Sequence, residues 1–428
     1  MSSILKMLQT GNSFPFPHSG RIAAAAVLSL TLTACAGGGS DGDDPVPVPG
    51  PEGFDYFGVF VNLVDGYILP NYNSLADSSA ELASAAGRLQ NYCDAIGSAD
   101  ENGARDDARQ SWRQAMDDFQ RTELHQIGPA TFDAGALRLR LTTASDTNFS
   151  TCGVDQSVVL GQSADFDLTT RLNNQKGLVA VEYLLFNEDL RHTCPTQIPE
   201  TADWDQRDAD QRKQWRCEHA IRLATDIANA SAELAAAWQI EGGNYRAEFA
   251  HPDNNEEVLG QLSDALFYIE ADVKDRKLGP TLGLHSSCSQ PACPNFAESP
   301  YSQTSLDNIE QNLVSFRELF SGGEGLSFDD IIASEGFPDI AERMLSEVDD
   351  ALNLLDTIDS SLLEQAETLV ATDNAAGCAN SAANPDADQS QSACALHGYL
   401  KRVTDSLRTD FVTIVNLDLP DRVQSDND

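Results

Sequence analysis

The chain has 428 residues, with 41% apolar and 7% aromatic side chains, a composition that supports a folded core rather than a disordered polymer. Asp and Glu total 67 against 27 Lys and Arg, a net charge of −40. That balance excludes a nucleic-acid binder, which must neutralise phosphates with basic side chains, and a basic membrane-surface helix.

Residues 1–34 read as an export signal. Lys6 and Arg21 stand among no acidic residues, and an apolar run follows over residues 22–32, too short to span a bilayer. It ends Leu32-Thr33-Ala34-Cys35, which resembles a lipobox, the cleavage site at which the new N-terminal cysteine receives a diacylglycerol. Cys35 is therefore the expected lipidation site. Residues 35–53, with Gly37-Gly38-Gly39-Ser40 and a Pro/Val/Gly run, form a tether without the apolar content to pack. Ala36 and Gly37 lack the Asp that would argue against outer-membrane sorting. The expected location is the bacterial envelope, as an outer-membrane lipoprotein facing the periplasm. The membrane is reached through its lipid anchor.

Eight further cysteines, an even number in an exported chain, predict disulfides. Sequential pairing predicts Cys93–Cys152, Cys194–Cys217, Cys288–Cys293 and Cys378–Cys394, each bridge flanking one loop.

The remaining chain reads as helix almost throughout. Apolar residues recur at three- and four-residue spacing at Trp112, Met116 and Phe119. The same spacing holds from Val258 through Val273, from Ala341 through Leu355 and from Leu396 through Leu407. Pro70 should kink or break an early helix. Gly128-Pro129 should stop a helix that begins near Ala104, and a long helix should run over 205–238, closed by Gly242-Gly243. These patterns predict an all-α protein of two tandem helical bundles, residues 54–242 and 255–418, hinged between them. A Pro-, Ser- and Cys-rich loop over 279–300 is longer than a bundle turn needs, as functional loops often are.

Two carboxylates interrupt apolar faces. Glu123 shares a stripe with Trp112, Met116, Phe119 and Ile127. Glu182 has Leu178, Val179, Leu185 and Phe186 as its helical neighbours. A buried carboxylate needs a partner or a raised pKa. Two inward carboxylates on adjacent helices can bind a cation, with Arg138, Arg140 and Arg171 as the alternative partners. Glu298 also reads as an acid ahead of a helix that Ser302 or Thr304 caps. His125, His192, His219, His251, His285 and His397 show no metal-pair spacing and read as surface or loop residues.

The segment Gly177-Leu178-Val179-Ala180-Val181-Glu182-Tyr183-Leu184-Leu185-Phe186 resembles the Gly-x-His-x-x-Glu motif, with its aromatic-Leu-Leu tail, of the imelysin family of bacterial envelope proteins. This is also called the M75 peptidase or iron-regulated protein A family. Val179 stands at the His position, as in a subgroup lacking that His. Tyr67, Pro70 and Tyr72 are similar to the family's opening helix. Trp112, Phe119, Glu123 and Gly128-Pro129 are similar to its Trp…Gln-x-x-Glu…Gly-Pro segment. Lys277-Leu278-Gly279 and Glu298-Ser299-Pro300-Tyr301-Ser302 are similar to its Lys-Leu-Gly and Glu-Ser-x-x-Ser segments.

The resemblance implies a two-bundle helical fold and a role in iron acquisition or its regulation. It also implies a ligand site of Glu123, Glu182, Glu298 and Ser302, with Glu123 and Glu182 as ligands of a divalent or ferric cation. The alternatives are an imelysin-type metallopeptidase and a scaffold lipoprotein that engages another envelope protein. Catalytic zinc normally takes three protein ligands, and Val179 supplies none, so the reading leans away from an enzyme. No catalytic residue is assigned.

Overall fold

The computed structural model describes residues 53–142, 149–417, 419–420 and 423. The signal, Cys35 and most of the tether lie outside that set. The described residues are all-α, with no strand among them.

Helix α1 covers residues 56–82: Tyr56–Leu63 passes through a π turn at Val64–Ile68 into Leu69–Leu82. The π turn explains why Pro70 does not break the helix. A proline removes one N–H and crowds the preceding turn, and the widened winding just before it absorbs both effects. Next come α2 (Arg88–Ala95) and α3 (Glu101–Thr122). Helix α3 ends at Thr122, six residues short of Gly128-Pro129, so Glu123 is its C-terminal cap and Ile127 lies beyond it. Then follow α4 (Thr151–Leu160) and α5 (Gly177–Phe186). Helix α6 (Ala209–Trp238) begins four residues later than 205, because the Asp208 carboxylate caps it by accepting from the Gln211 N–H at 2.8 Å.

Residues 242–255 carry a short helix, Tyr245–Phe249, and a 3₁₀ turn, Pro252–Asn254. Helix α7 (Asn255–Leu266) is followed by a ten-residue π segment, Ile269–Leu278. After the long loop come α8 (Ser305–Ser321), α9 (Phe328–Ser334), α10 (Pro338–Leu355), α11 (Leu362–Thr372), α12 (Ala375–Ala383) and α13 (Ser392–Ser406).

Helices α1, α2, α3, α5 and α6 pack on one another, as do α8, α9, α10, α12 and α13. Helix α3 also packs along α8, and the π segment lies against α8 and α13. Every residue of α5 is buried. It is apolar all round apart from Glu182, as a helix must be when neighbours cover it on every side.

Two of the expected disulfides form, Cys288–Cys293 and Cys378–Cys394. The other four cysteines pair differently, as Cys93–Cys217 and Cys152–Cys194. The rule that a bridge flanks one loop fails because α2 and α6, distant in sequence, pack side by side. Three histidines also depart from expectation: His125, His219 and His397 are buried. His219 lies in the interior face of α6, and burial pushes its imidazole down to about 3.

The Cys93–Cys217 bridge spans 124 residues and Cys288–Cys293 spans 5. On loop-closure entropy these bridges contribute up to ~5 and ~2 kcal/mol. Replacing Cys93 and Cys217 by Ser should therefore lower the urea midpoint well below that of the Cys288→Ser/Cys293→Ser variant.

Candidate functional site

The C-terminal end of α3, the π segment, the N-terminal half of α8 and the loop that precedes α8 meet around one ammonium group. Lys277 Nζ lies 2.5 Å from Glu123 Oε2 and 3.2 Å from Glu298 Oε2. It also donates to Gln120 Oε1 at 2.6 Å and Asn312 Oδ1 at 2.9 Å. The Tyr268 hydroxyl donates to the same Glu123 oxygen at 2.5 Å.

The π segment makes this convergence possible. Residues 268 and 277 are nine apart, two and a half turns of an α-helix at about 3.6 residues per turn, which would put them on opposite faces. The wider i→i+5 winding brings both side chains to Glu123.

The remaining polar atoms are tied together. Gln120 donates to Glu298 Oε1 at 3.1 Å. Asn308 donates to Glu298 Oε2 at 3.0 Å and to Ser299 Oγ at 2.9 Å. Asn312 donates to the Gln120 carbonyl at 2.8 Å. Glu298 thus serves Lys277, Gln120 and Asn308 rather than capping α8, whose cap residue is Thr304.

Desolvation favours the neutral amine of Lys277. Glu123 and Glu298 outweigh it, and the lysine pKa rises. Burial raises the Glu123 carboxyl, a rise that the ammonium opposes.

Glu182 is held differently. Gly177 opens its helix at φ +76°, and a Cβ there would meet the Leu141 carbonyl at 2.5 Å, so only glycine brings the chain in so close. Trp112 Nε1 then ties α5 to α3 by donating to the Leu178 carbonyl at 2.9 Å. From this buried helix Glu182 Oε1 accepts from the Tyr301 N–H at 3.0 Å, the Ser302 N–H at 2.8 Å and the Ser302 hydroxyl at 2.9 Å.

Glu182 Oε2 is buried and has no hydrogen-bond partner among the described residues; the same holds for Asn308 Oδ1. Burial pushes the Glu182 carboxyl up to about 7, against the Ser302 and Tyr301 donors, with Glu298 adding to the rise.

The structure therefore links all four expected site residues. Glu123 and Glu298 share Lys277, Ser302 binds Glu182, and Glu298 acts electrostatically on Glu182. None of the three expected arginines lies between the carboxylates. Arg140 pairs with Asp226 at 2.7 Å, and Arg171 donates to Ser157 Oγ at 2.9 Å. Arg138 lies in the short helix Arg138–Leu141. The central cation is Lys277, with Tyr268, Gln120, Asn308 and Asn312 around it. Among the described residues no group of three His, Cys, Asp or Glu side chains is placed to hold a metal ion.

The model of the imelysin family, peptidase M75, matches residues 68–407. The chain belongs to the imelysin family. Iron-regulated protein A of Synechococcus elongatus is 25% identical over 272 residues, 60% of this chain and 62% of that protein, so the match spans less than two thirds of that relative. The fold is similar to that of an imelysin-like protein from Psychrobacter arcticum, at a TM-score of 0.55 and 16% identity, covering 87% of this chain and 99% of that one. It is also similar to an iron-regulated protein A precursor from Parabacteroides distasonis, described as putative, at a TM-score of 0.50 and 16% identity, covering 84% and 98%.

Removing Lys277 would leave two buried carboxylates facing each other, so Lys277→Met should cost about 3–5 kcal/mol in a denaturant titration. Adding Glu123→Gln to it should recover part of that loss.

Glu182 sets a pH dependence of known sign. Its folded pKa, about 7, lies above the ordinary 4.5, so the fold favours the protonated acid. The contribution is fully present below about pH 4.5 and lost as pH rises through about 7, roughly 3 kcal/mol at about 1.4 kcal/mol per unit. Glu182→Gln should remove that slope from stability measured between pH 4.5 and 8.

Proposed function

We propose that this imelysin-family protein is a lipid-anchored envelope protein that binds a cation or a small donor-bearing ligand at Glu182, in iron acquisition or its regulation. The observation that carries the reading is the pair of buried acceptors without donors, Glu182 Oε2 and Asn308 Oδ1, both bordering the 298–302 loop. Nearly every buried polar atom in a folded protein finds a partner, so two uncommitted acceptors beside one loop favour a ligand that supplies positive charge or hydrogen-bond donors.

Lys277 already neutralises much of the charge on Glu123 and Glu298, which leaves Glu182 as the principal ligand and Ser302 as its positioning partner. A division into bundles over 54–242 and 255–418 puts this site at their junction. The iron assignment rests on the name of the Synechococcus relative, iron-regulated protein A. Envelope location agrees with four disulfides and with the signal and tether ahead of the fold. Val179, at the position of the motif His, supports a subgroup that binds rather than cleaves.

Purified protein should take up ferric or ferrous iron, or manganese, by calorimetry and elemental analysis, more weakly below pH 7 as Glu182 protonates. Glu182→Gln should abolish uptake with helicity unchanged. Cys35→Ser should leave uptake intact and release the protein from membranes. Casein cleavage that a chelator stops and Glu182→Gln removes would replace this reading with the metallopeptidase. Uptake unchanged in Glu182→Gln would remove Glu182 from the site.

A further inference from the structure

A second cleft borders the C-terminal end of α5, and its lining is mostly basic in an acidic chain. The cleft, of about 150 Å³, is lined by Arg105, Arg109, Lys213 and Arg216, with Glu188 as its one acidic lining residue. A chain with 27 basic residues against 67 acidic ones places four of them here.

Part of this cluster has a structural use. Arg109 Nε donates to the Leu185 carbonyl at 3.0 Å, and Arg216 donates to the Tyr183 carbonyl at 2.8 Å and the Asp189 carbonyl at 3.0 Å. The Leu185 carbonyl lies in the last turn of α5, the Tyr183 carbonyl also accepts from the Asn187 N–H at 3.3 Å, and Asp189 lies beyond the helix. Lys213 pairs with Glu101 at 2.5 Å and Asp210 at 3.6 Å, and Arg109 with Asp106 at 3.7 Å.

Those roles leave several donors over. Arg216 is 3% exposed, and its Nε is buried without a hydrogen-bond partner among the described residues, as is Arg105 Nε. Capping a carbonyl needs a donor and not a full charge, so two neutral side chains would have served. Arg105 caps nothing in α5.

The position of Glu188 shows what the surplus is suited to. Its carboxylate lies between two guanidinium groups, with Oε1 at 3.2 Å from Arg109 and 3.6 Å from Arg105. The side chain is 66% exposed, so it occupies the mouth of the cleft and can swing into water at little cost. Glu188 therefore marks where an external oxyanion can sit. Guanidinium forks suit such an anion, because they present paired donors to planar or tetrahedral oxygens and keep their charge when desolvated. A localised positive cleft in an acidic surface also concentrates small anions there and nowhere nearby.

The geometry points to a binding site for a small, multiply charged oxyanion, a phosphate or a polycarboxylate, between Arg105 and Arg109, with Glu188 as the internal competitor. The site is independent of the cation reading at Glu182.

The test is calorimetric titration of the full chain at low ionic strength with inorganic phosphate and, separately, with citrate. At least one should bind. Arg105→Gln should weaken it tenfold or more, and Glu188→Gln should tighten it severalfold. Binding of phosphate alone assigns a phosphoryl ligand, and binding of citrate alone assigns a polycarboxylate. If Arg105→Gln loses helicity, Glu188→Gln decides, since its exposed side chain supports no core. Failure of both anions to bind wild type and Glu188→Gln at millimolar concentration overturns the proposal. So does an affinity that neither substitution changes.

Discussion

The Lys277 ammonium ties the end of α3, the π segment, α8 and the loop before it to one another. A lysine charge removed from water is costly, and only close carboxylates with further hydrogen bonds offset that cost. Here Glu123 comes from the end of α3 and Glu298 from the loop before α8, while Gln120 and Asn312 complete the shell from α3 and α8. Each contributor is fixed by the others. Helix α3 must stop at Thr122 for Glu123 to turn inward, and the π winding must persist for Lys277 and Tyr268 to face the same oxygen. A polar network of this kind specifies one arrangement of its elements, because a partial fit leaves a buried charge bare.

Glu182 shows the opposite solution to the same problem. No cation is set against it; the loop supplies two backbone N–H groups and a hydroxyl to one oxygen and nothing to the other. The donors that Ser302 and Tyr301 supply do not offset desolvation, and its pKa rises to about 7. The two carboxylates, similar in sequence context, therefore differ in chemistry. Lys277 and Tyr268 oppose the rise at Glu123, while Glu182, at about 7, can give up or take a proton near neutrality, the property a ligand-responsive group needs.

The helical class was legible in the apolar spacing, and Glu123 and Glu182 stood out as acids among apolar neighbours, whereas Glu298 and Ser302 came only from the resemblance to the imelysin family. Lys277 was visible only as part of a Lys-Leu-Gly segment, and its role was hidden because α-helical spacing separates it from Tyr268. Nothing in the residues between them announces a π winding. Asn308 and Asn312 did leave a signal, two amides at i, i+4 beside Ile309, Leu313 and Phe316, which marks a buried polar stripe on α8. The Cys93–Cys217 bridge was not legible at all. Pairing depends on which helices pack together, and loop arithmetic contains no such information.

Helix α5 explains how the two polar regions coexist in so apolar a surrounding. Its side-chain face presents Glu182 to the 301–302 loop, and its C-terminal carbonyls face the arginines of the basic cleft. Tyr183 stands between them: its carbonyl accepts from Arg216, and its ring lies edge-on to Tyr301 at 5.2 Å. The Arg216 guanidinium also sits over that ring, 5.0 Å from its centroid. Because α5 is enclosed on every side and close-packed, its Glu182 face and its C-terminal carbonyls are both held in fixed positions.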